Sequence, residues 1–189
     1  ETPATERHPE RTRRSRYRVT DPYLRFYHRF LAPQLPFLLW GAYRAVWSTI
    51  EQHWRAFVGT HTFEELCREW VYVAAEKGQL PFLPQRVGSH WSKTEQIDVV
   101  AANWDAAAVL YGECKWKRES ALTESEVEKL VQRAAQIELT TQSGRPLQRH
   151  YLFFSRSGFT DPARTTATAL GALLVDLPNF DTVLAQATR

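Results

Sequence analysis

The sequence has few cysteines, no methionine and no long run of apolar residues. Its two cysteines, Cys67 and Cys114, are too few for a disulfide framework, so we expect a reducing compartment, the cytoplasm. Without a run of about 18 apolar residues, we expect no membrane span and no membrane partner. No methionine occurs in the 189 residues, not even at position 1, which is the pattern expected of a fragment of a longer polypeptide.

Positive charge is concentrated at the N-terminus. Residues 1–20 hold six arginines and three glutamates, whereas the rest of the chain holds 18 basic and 18 acidic side chains. The body therefore lacks the net positive charge that dominates non-specific DNA binding. We interpret residues 1–20 as a basic linker or arm, which either follows another domain or contacts phosphates.

A helical module is predicted for residues 21–59. Asp21 and Pro22 form a favourable helix start, because Asp caps the first turn and Pro fits the first helical position. Two prolines divide the segment into a short first helix and a longer second helix that ends near Gly59. Aromatic residues at helical spacing favour packing against the next module or a neighbouring domain over a base-stacking platform.

An α/β domain is predicted for residues 60–189. Thr62 and Glu65 match a capping box ahead of an apolar stripe, which predicts a helix that ends at Gly78. Strands are expected in five later segments and helices in two, namely strands in 80–91, 96–102, 107–116, 151–154 and 172–177, and helices over 123–139 and 161–170. This order predicts a mixed sheet flanked by helices.

Charged side chains interrupt the second and third predicted strands. Glu113 and Lys115 lie two residues apart, so they project from one face while Cys114 points to the other. A hairpin that closes near Asn103 brings Asp98 toward the same open end as Glu113. Two such carboxylates would bind a divalent metal, and the lysine would orient or deprotonate a water that attacks a phosphodiester. The alternative is a salt bridge between Glu113 and Lys115 with a solvated Asp98.

Two levels of family resemblance follow from these residues. The strings IDVV (97–100) and GECKW (112–116) resemble the D…(E)xK signature of the PD-(D/E)XK nuclease superfamily, whose αβββαβ core matches the predicted order. Longer segments resemble the C-terminal domain of archaeal-type DEXX-box ATPases: YRVTDPYLRFYHRF, GTHTFEELCREW, IDVV, GECKW and YLFFSRSGF. In that family a P-loop ATPase and a winged helix precede this domain. Because this chain has no Gly-rich phosphate loop, the resemblance places any ATP site outside it and makes those domains its expected partners.

The resemblance also implies roles for individual residues. It makes Asp98, Glu113 and Lys115 the catalytic residues, with Mg²⁺ or Mn²⁺ held by the two carboxylates. The backbone carbonyl of Cys114 is a further implied metal ligand. The fold it implies is of restriction-endonuclease-like, PD-(D/E)XK type.

Members of the superfamily often add a carboxylate from the first helix of the domain. Here Glu64 is a better candidate than Glu65, because Glu64 lies at the margin of the buried face and Glu65 lies opposite. The alternative for Glu64 is a glutamate that simply favours a helix N-terminus.

The helix after the third strand carries Lys129, Gln132 and Arg133, which are candidates for contacts with DNA phosphates, with an ordinary surface role as the alternative. The sequence thus predicts metal-dependent hydrolysis of DNA phosphodiesters by a nuclease-like domain of a larger P-loop ATPase. The alternative is a catalytically silent DNA-binding, protein-binding or assembly module of that ATPase. A homo-oligomer is compatible with both.

Overall fold

The fold is built on a five-stranded mixed sheet. The computed structural model describes residues 1–185, apart from the side chains of residues 60 and 61, so the last four residues of the domain predicted over 60–189 lie outside it. The strands lie side by side in chain order: β1 (Arg86–Trp91), β2 (Gln96–Asn103), β3 (Ala108–Lys115), β4 (Gln148–Ser155) and β5 (Leu173–Asp176). β1, β2 and β3 are antiparallel, whereas β4 and β5 join the sheet in parallel. The predicted mixed α/β architecture is confirmed.

Helices precede the sheet and cover both of its faces. Their bounds are α1 (Pro22–Phe26), α2 (Leu35–Leu39), α3 (Tyr43–Phe57), α4 (Phe63–Glu76), α5 (Glu124–Ala135), α6 (Asp161–Ala169) and α7 (Leu177–Ala185). The order from α4 onward matches the predicted succession, except that α7 was not predicted. Within residues 1–185, no helix has both the length and the apolar character that crossing a membrane requires.

The alternation of side chains along the strands produces two apolar cores. Val99 and Ala101 of β2 pack with α4 and α7 on one face of the sheet. Val100 and Ala102 pack with α5 and α6 on the other face. A sheet covered on both sides requires apolar residues at nearly every position, which is why β2 and β3 read as almost continuous hydrophobic runs.

The α3–α4 junction differs from the prediction in two respects. The helix does not end near Gly59, because a π-helical turn over Val58–Thr62 joins α3 to α4. The capping box at Thr62 is also wrong, since Thr62 is already helical (φ −65°, ψ −43°) and its side chain caps nothing. A cap residue normally stands outside the helix, in extended backbone. A capping box is instead present at the start of α5. There the Thr123 side chain accepts from the Glu126 backbone N–H, and the Glu126 side chain accepts from the Thr123 backbone N–H.

Gly59 lets the π-helical turn approach the end of β3. A Cβ atom at this position would meet Cδ1 of Trp116 at 2.8 Å, closer than a side chain tolerates. The absence of a side chain at Gly59 therefore allows the helical run to pack directly on the residue that follows β3.

The start of the helical module matches the prediction. The Asp21 carboxylate accepts a hydrogen bond from the Leu24 backbone N–H at 3.0 Å, and Pro22 occupies the first helical position. The module has a small core of its own, formed by Phe30, Val46 and Ile50.

Part of the basic arm lies against the sheet. The Ala4 backbone N–H donates to the Ser89 carbonyl at 2.8 Å, and Ala4 is 1% exposed. Thr5 Oγ1 and His90 Nδ1 are hydrogen-bonded at 2.7 Å. The Arg86 guanidinium donates to the Glu6 carbonyl at 2.7 Å. The first residues of the predicted linker or arm are thus tied to the edge strand β1.

Candidate functional site

The β2–β3 hairpin positions the acidic residues predicted for the site. Val99 pairs with Gly112, and the turn closes between Asn103 and Ala108. The Asn103 side-chain oxygen accepts hydrogen bonds from the backbone N–H groups of Asp105 and Ala106, which fixes the turn. Asp98 and Glu113 consequently lie at the open end of the hairpin, as the sequence predicted.

Asp98 is half-buried and tied to the neighbouring strand. Its Oδ2 accepts a hydrogen bond from the Cys114 backbone N–H at 3.0 Å. Its carbonyl oxygen accepts from Nη1 of Arg68 at 2.9 Å. Asp98 is therefore held in place from β3 and from α4, and the alternative of a solvated residue does not describe it.

Glu113 is the most enclosed carboxylate of the group, at 5% exposed. Its Oε1 lies 2.6 Å from Lys115 Nζ, and its Oε2 lies 2.6 Å from Arg133 Nη2. Arg133 also donates from Nη1 to the Gln96 carbonyl at 2.8 Å. The salt bridge that the sequence left as an alternative is present, and a second cation completes the pairing of both carboxylate oxygens.

Glu64 faces the other two carboxylates from the first turn of α4. Burial, followed by the negative charge of Asp98, raises the pKa of Glu64 to about 7. Burial and the charge of Glu113 raise the pKa of Asp98 to about 6. Arg68, one helical turn after Glu64, offsets part of this effect from 3.8 Å. Two neighbouring carboxyl groups thus have raised pKa values, an arrangement more frequent at functional sites than elsewhere.

Cys114 contributes no side chain to this cluster. It packs in the apolar core on the α4 side of the sheet, as does Cys67. Burial raises the pKa of both thiols above the usual range, which makes them unreactive. The predicted opposition of Cys114 to Glu113 and Lys115 is confirmed, and its role as a carbonyl ligand stays a prediction.

Two cavities contain most of the predicted site residues, and Asp98 lines neither of them. The first, of about 500 Å³, is lined by Glu113 and Lys115 together with the three residues predicted to contact DNA, and its full lining is Glu95, Glu113, Lys115, Lys129, Gln132, Arg133 and Gln136. The second, of about 420 Å³, contains Glu64 and Arg68. Among residues 1–185, no group of three His, Cys, Asp or Glu side chains is close enough to hold a metal ion.

Sequence reasoning missed Arg68 and one of the two roles of Arg133. Arg68 bonds the backbone of Asp98, and Arg133 was considered for DNA phosphates but also neutralises Glu113. The spacing of Glu64 and Arg68 at i and i+4 was a usable signal for the first. Nothing local signals the second, because α5 meets β3 only in the folded domain.

A known protein family matches residues 27–130, more than half of the chain. It is DUF234, described as archaeal and bacterial proteins of unknown function. The chain belongs to this family. The DUF234 match runs from the helical module into α5, so it contains Glu64, Asp98, Glu113 and Lys115, whereas Arg133 lies just beyond it.

Individual relatives are also uncharacterised. An uncharacterised protein of Methanocaldococcus jannaschii is 28% identical over 117 residues, which cover 62% of this chain and 26% of that protein. The match thus spans about a quarter of the relative's length. A crystal structure of a protein of unknown function, AF1548, superposes with a TM-score of 0.42 at 17% identity, over 65% of this chain and 67% of the other.

Proposed function

We propose that this DUF234 domain hydrolyses DNA phosphodiester bonds with Mg²⁺ or Mn²⁺, in the manner of a PD-(D/E)XK nuclease. The observation that carries the proposal is the convergence of Glu64, Asp98 and Glu113, two of them with raised pKa values, beside Lys115. Buried carboxylates that repel one another are costly in a purely structural role. A divalent cation would relieve that repulsion, and to bind it the three carboxylates must come closer together than they lie in residues 1–185.

The donor chemistry of the site suits a hard cation. Carboxylate oxygens from Asp98, Glu113 and Glu64 are the ligands that Mg²⁺ and Mn²⁺ prefer, with the Cys114 carbonyl as a further donor. When bound, such an ion polarises the phosphoryl oxygen and lowers the pKa of a water. Glu113 must exchange at least one of its two cationic partners to become a ligand, since both of its oxygens are paired.

The side chains around the carboxylates have separate tasks in this proposal. Lys115, released from Glu113, donates a hydrogen bond from Nζ and so orients the attacking water. The hydrogen bond and negative charge of Glu113 outweigh burial and raise the pKa of Lys115, so its ammonium group would have to lose a proton before it could act as a base. Lys129, Gln132 and Arg133 line the same cavity and bind backbone phosphates. Arg68 and the Cys114 backbone N–H keep Asp98 oriented.

The larger protein in this proposal couples the domain to ATP. The DEXX-box resemblance of the sequence supports an adjoining P-loop ATPase and winged helix, and the uncharacterised M. jannaschii relative is long enough to hold further domains. DNA is the expected macromolecular partner, and ATP hydrolysis would take place outside residues 1–189.

A catalytically silent binding or assembly module is the second candidate. The observation that favours it is the full pairing of Glu113 by Lys115 and Arg133, which neutralises the carboxylate without a metal. The zero net charge of the chain after residue 20 also favours it, because nucleases usually attract DNA through a positive groove.

Metal titration separates the two candidates. We expect calorimetry with MnCl₂ or MgCl₂ to detect metal binding to the parent chain but not to the Asp98→Asn variant. The control Asp181→Asn, which removes an exposed carboxylate of α7, should bind the metal as the parent does. We expect nicking of supercoiled or branched DNA to follow the same pattern. Absence of metal binding by the parent would exclude the nuclease and leave the binding module. Binding without cleavage of either DNA would show that the domain alone is not a nuclease.

A further inference from the structure

A separate cavity of about 590 Å³ lies between the end of the N-terminal arm and the helical module. Its lining contains none of the residues of the candidate nuclease site and combines cations with an apolar wall: Arg18, Val19, Arg25, His28, Arg29, Ala56 and Phe57. A volume of 300–1,000 Å³ is typical of sites for small ligands.

The charge of this cavity is positive. Glu65 is shared between two of the arginines, with Oε1 at 2.9 Å from Arg18 Nη1 and Oε2 at 2.5 Å from Arg25 Nη2. Glu1 also pairs with Arg18, at 2.8 Å. Arg29 has no ion pair within residues 1–185 and is exposed at the cavity. Two carboxylates thus face three guanidinium groups.

Arg25 has hydrogen-bond donors that the described residues leave unused. Its side chain is 11% exposed, and its Nε and Nη1 atoms are buried without a partner in the described part of the chain. A buried donor without an acceptor costs about 1–3 kcal/mol, and more when it is charged. The folded protein therefore holds a cation beside a cavity in a state that an incoming anion would improve.

We propose that this cavity binds a nucleotide, with its phosphate held by Arg25 and Arg29 and its base against the wall of Phe57 and Val19. Guanidinium groups match phosphate oxygens with paired N–H donors, and they retain their charge at any physiological pH. The apolar lining suits the flat face of a base, which stacks on aromatic side chains. The nucleotide is either a free mononucleotide or the terminal nucleotide of a strand.

The test is calorimetry in the presence of EDTA, so that it does not depend on a metal or on hydrolysis. We expect the full 189-residue chain to bind deoxyadenosine 5′-monophosphate or a 5′-phosphorylated deoxyhexanucleotide. Deoxyadenosine, which lacks the phosphate, should bind at least about tenfold more weakly. Arg29→Gln should weaken binding of the phosphorylated probe about tenfold. Arg44→Gln, which removes an exposed arginine of α3 outside the cavity, should not.

Each outcome bears on the proposal. Tighter binding of the hexanucleotide than of the monophosphate identifies a strand end, and similar binding identifies a free nucleotide. The proposal is overturned if neither phosphorylated probe binds, if deoxyadenosine binds equally well, or if the Arg29 and Arg44 variants behave alike. Arg29 is preferred to Arg25 for substitution because loss of Arg25 would leave Glu65 without one of its partners and could unfold the junction.

Discussion

The sheet domain and the helical module bury their apolar residues to very different extents. The sheet has a core on each face, and Leu152, Phe153 and Phe154 of β4 are all 0% exposed. The core of the module holds three buried residues, whereas Leu39 and Trp40 are 82% and 85% exposed. Burial of apolar area is the main source of stability. We infer that the sheet domain is self-sufficient and that the module depends on its contacts with α4.

The aromatic residues of the module fall into two groups. An inner group packs ring against ring: the ring centroid of Phe30 lies 5.2 Å from that of Phe57 and 5.3 Å from that of Phe26. An outer group stays exposed and includes Tyr23, Phe37, Trp40, Tyr43 and Trp47. The inner group therefore packs within the module itself, whereas the sequence predicted packing against the next module or a neighbouring domain. Helical spacing alone did not separate the two groups.

The largest expected effect comes from matched truncations in the two cores. Phe154→Ala should lower the free energy of unfolding of the sheet domain by about 4 kcal/mol, because it removes a fully buried ring that contacts Trp70 and Phe180. Phe30→Ala should increase hydrogen exchange in the module and leave β4 protected. Denaturant unfolding followed by exchange mass spectrometry measures both. Loss of β4 protection in the Phe30 variant would mean that the two regions unfold together.

The next effect concerns pH, at the helix that joins the two regions. The pKa of Glu64 is about 7 when folded and has an ordinary value of 4.5, so the folded state binds more protons between these pH values. The contribution of Glu64 to stability must therefore fall as pH rises from about 4.5 to 7 and then level off. Glu64→Gln should raise the free energy of unfolding by about 2 kcal/mol at pH 8 and have little effect at pH 4.

A control for this experiment is the exposed Glu76 at the other end of α4. Urea titrations of Glu64→Gln, Glu76→Gln and the parent at both pH values make the comparison. Equal effects of the two substitutions at pH 8 would argue against a special environment at Glu64.

A smaller effect distinguishes the true helix cap from the false one. Thr123→Ala should destabilise the sheet domain by about 1 kcal/mol, since it removes half of a capping box. Thr62→Ala should change stability by less than about 0.5 kcal/mol, because its side chain makes no capping bond. Chemical denaturation of both variants is sufficient, and a larger loss at Thr62 would restore the cap that the sequence suggested.

The smallest expected effect is at the exposed surface of the module. Trp40→Ser should alter the free energy of unfolding by less than about 0.5 kcal/mol, because Trp40 is 85% exposed. Thermal unfolding by circular dichroism measures this difference. A substantial loss would show that the outer aromatic group contributes to folding of the isolated chain.

Where sequence patterns succeeded, the information was local. β2 and β3 were placed within one residue at each end because apolar runs and a short polar link define a hairpin. β1 begins at Arg86, later than the predicted segment, because Pro81 and Pro84 disfavour a paired strand. α7 was not predicted, although its first residues resemble those of α1. The Asp176 carboxylate accepts a hydrogen bond from the Asn179 backbone N–H, and a proline lies in the first turn.

The candidate site was predictable only in part, for the same reason. The spacing of Glu113 and Lys115 on one strand fixed their common face. The partition between two cavities and the pairing of Arg133 with Glu113 depend on how α4 and α5 dock, which no local pattern encodes.

The topology of the sheet has a consequence for the order of folding. In the hairpin, Asn103 pairs with Ala108 nearby in the chain, whereas Ala108 pairs in parallel with Gln148 only after α5 has crossed. Closing the shorter loop costs less entropy, so we expect the hairpin to form first. Asp98 and Glu113 would then be neighbours before Arg133 arrives. Kinetic φ-values for Val100→Ala above those for Val175→Ala would support this sequence of events, and the reverse order would exclude it.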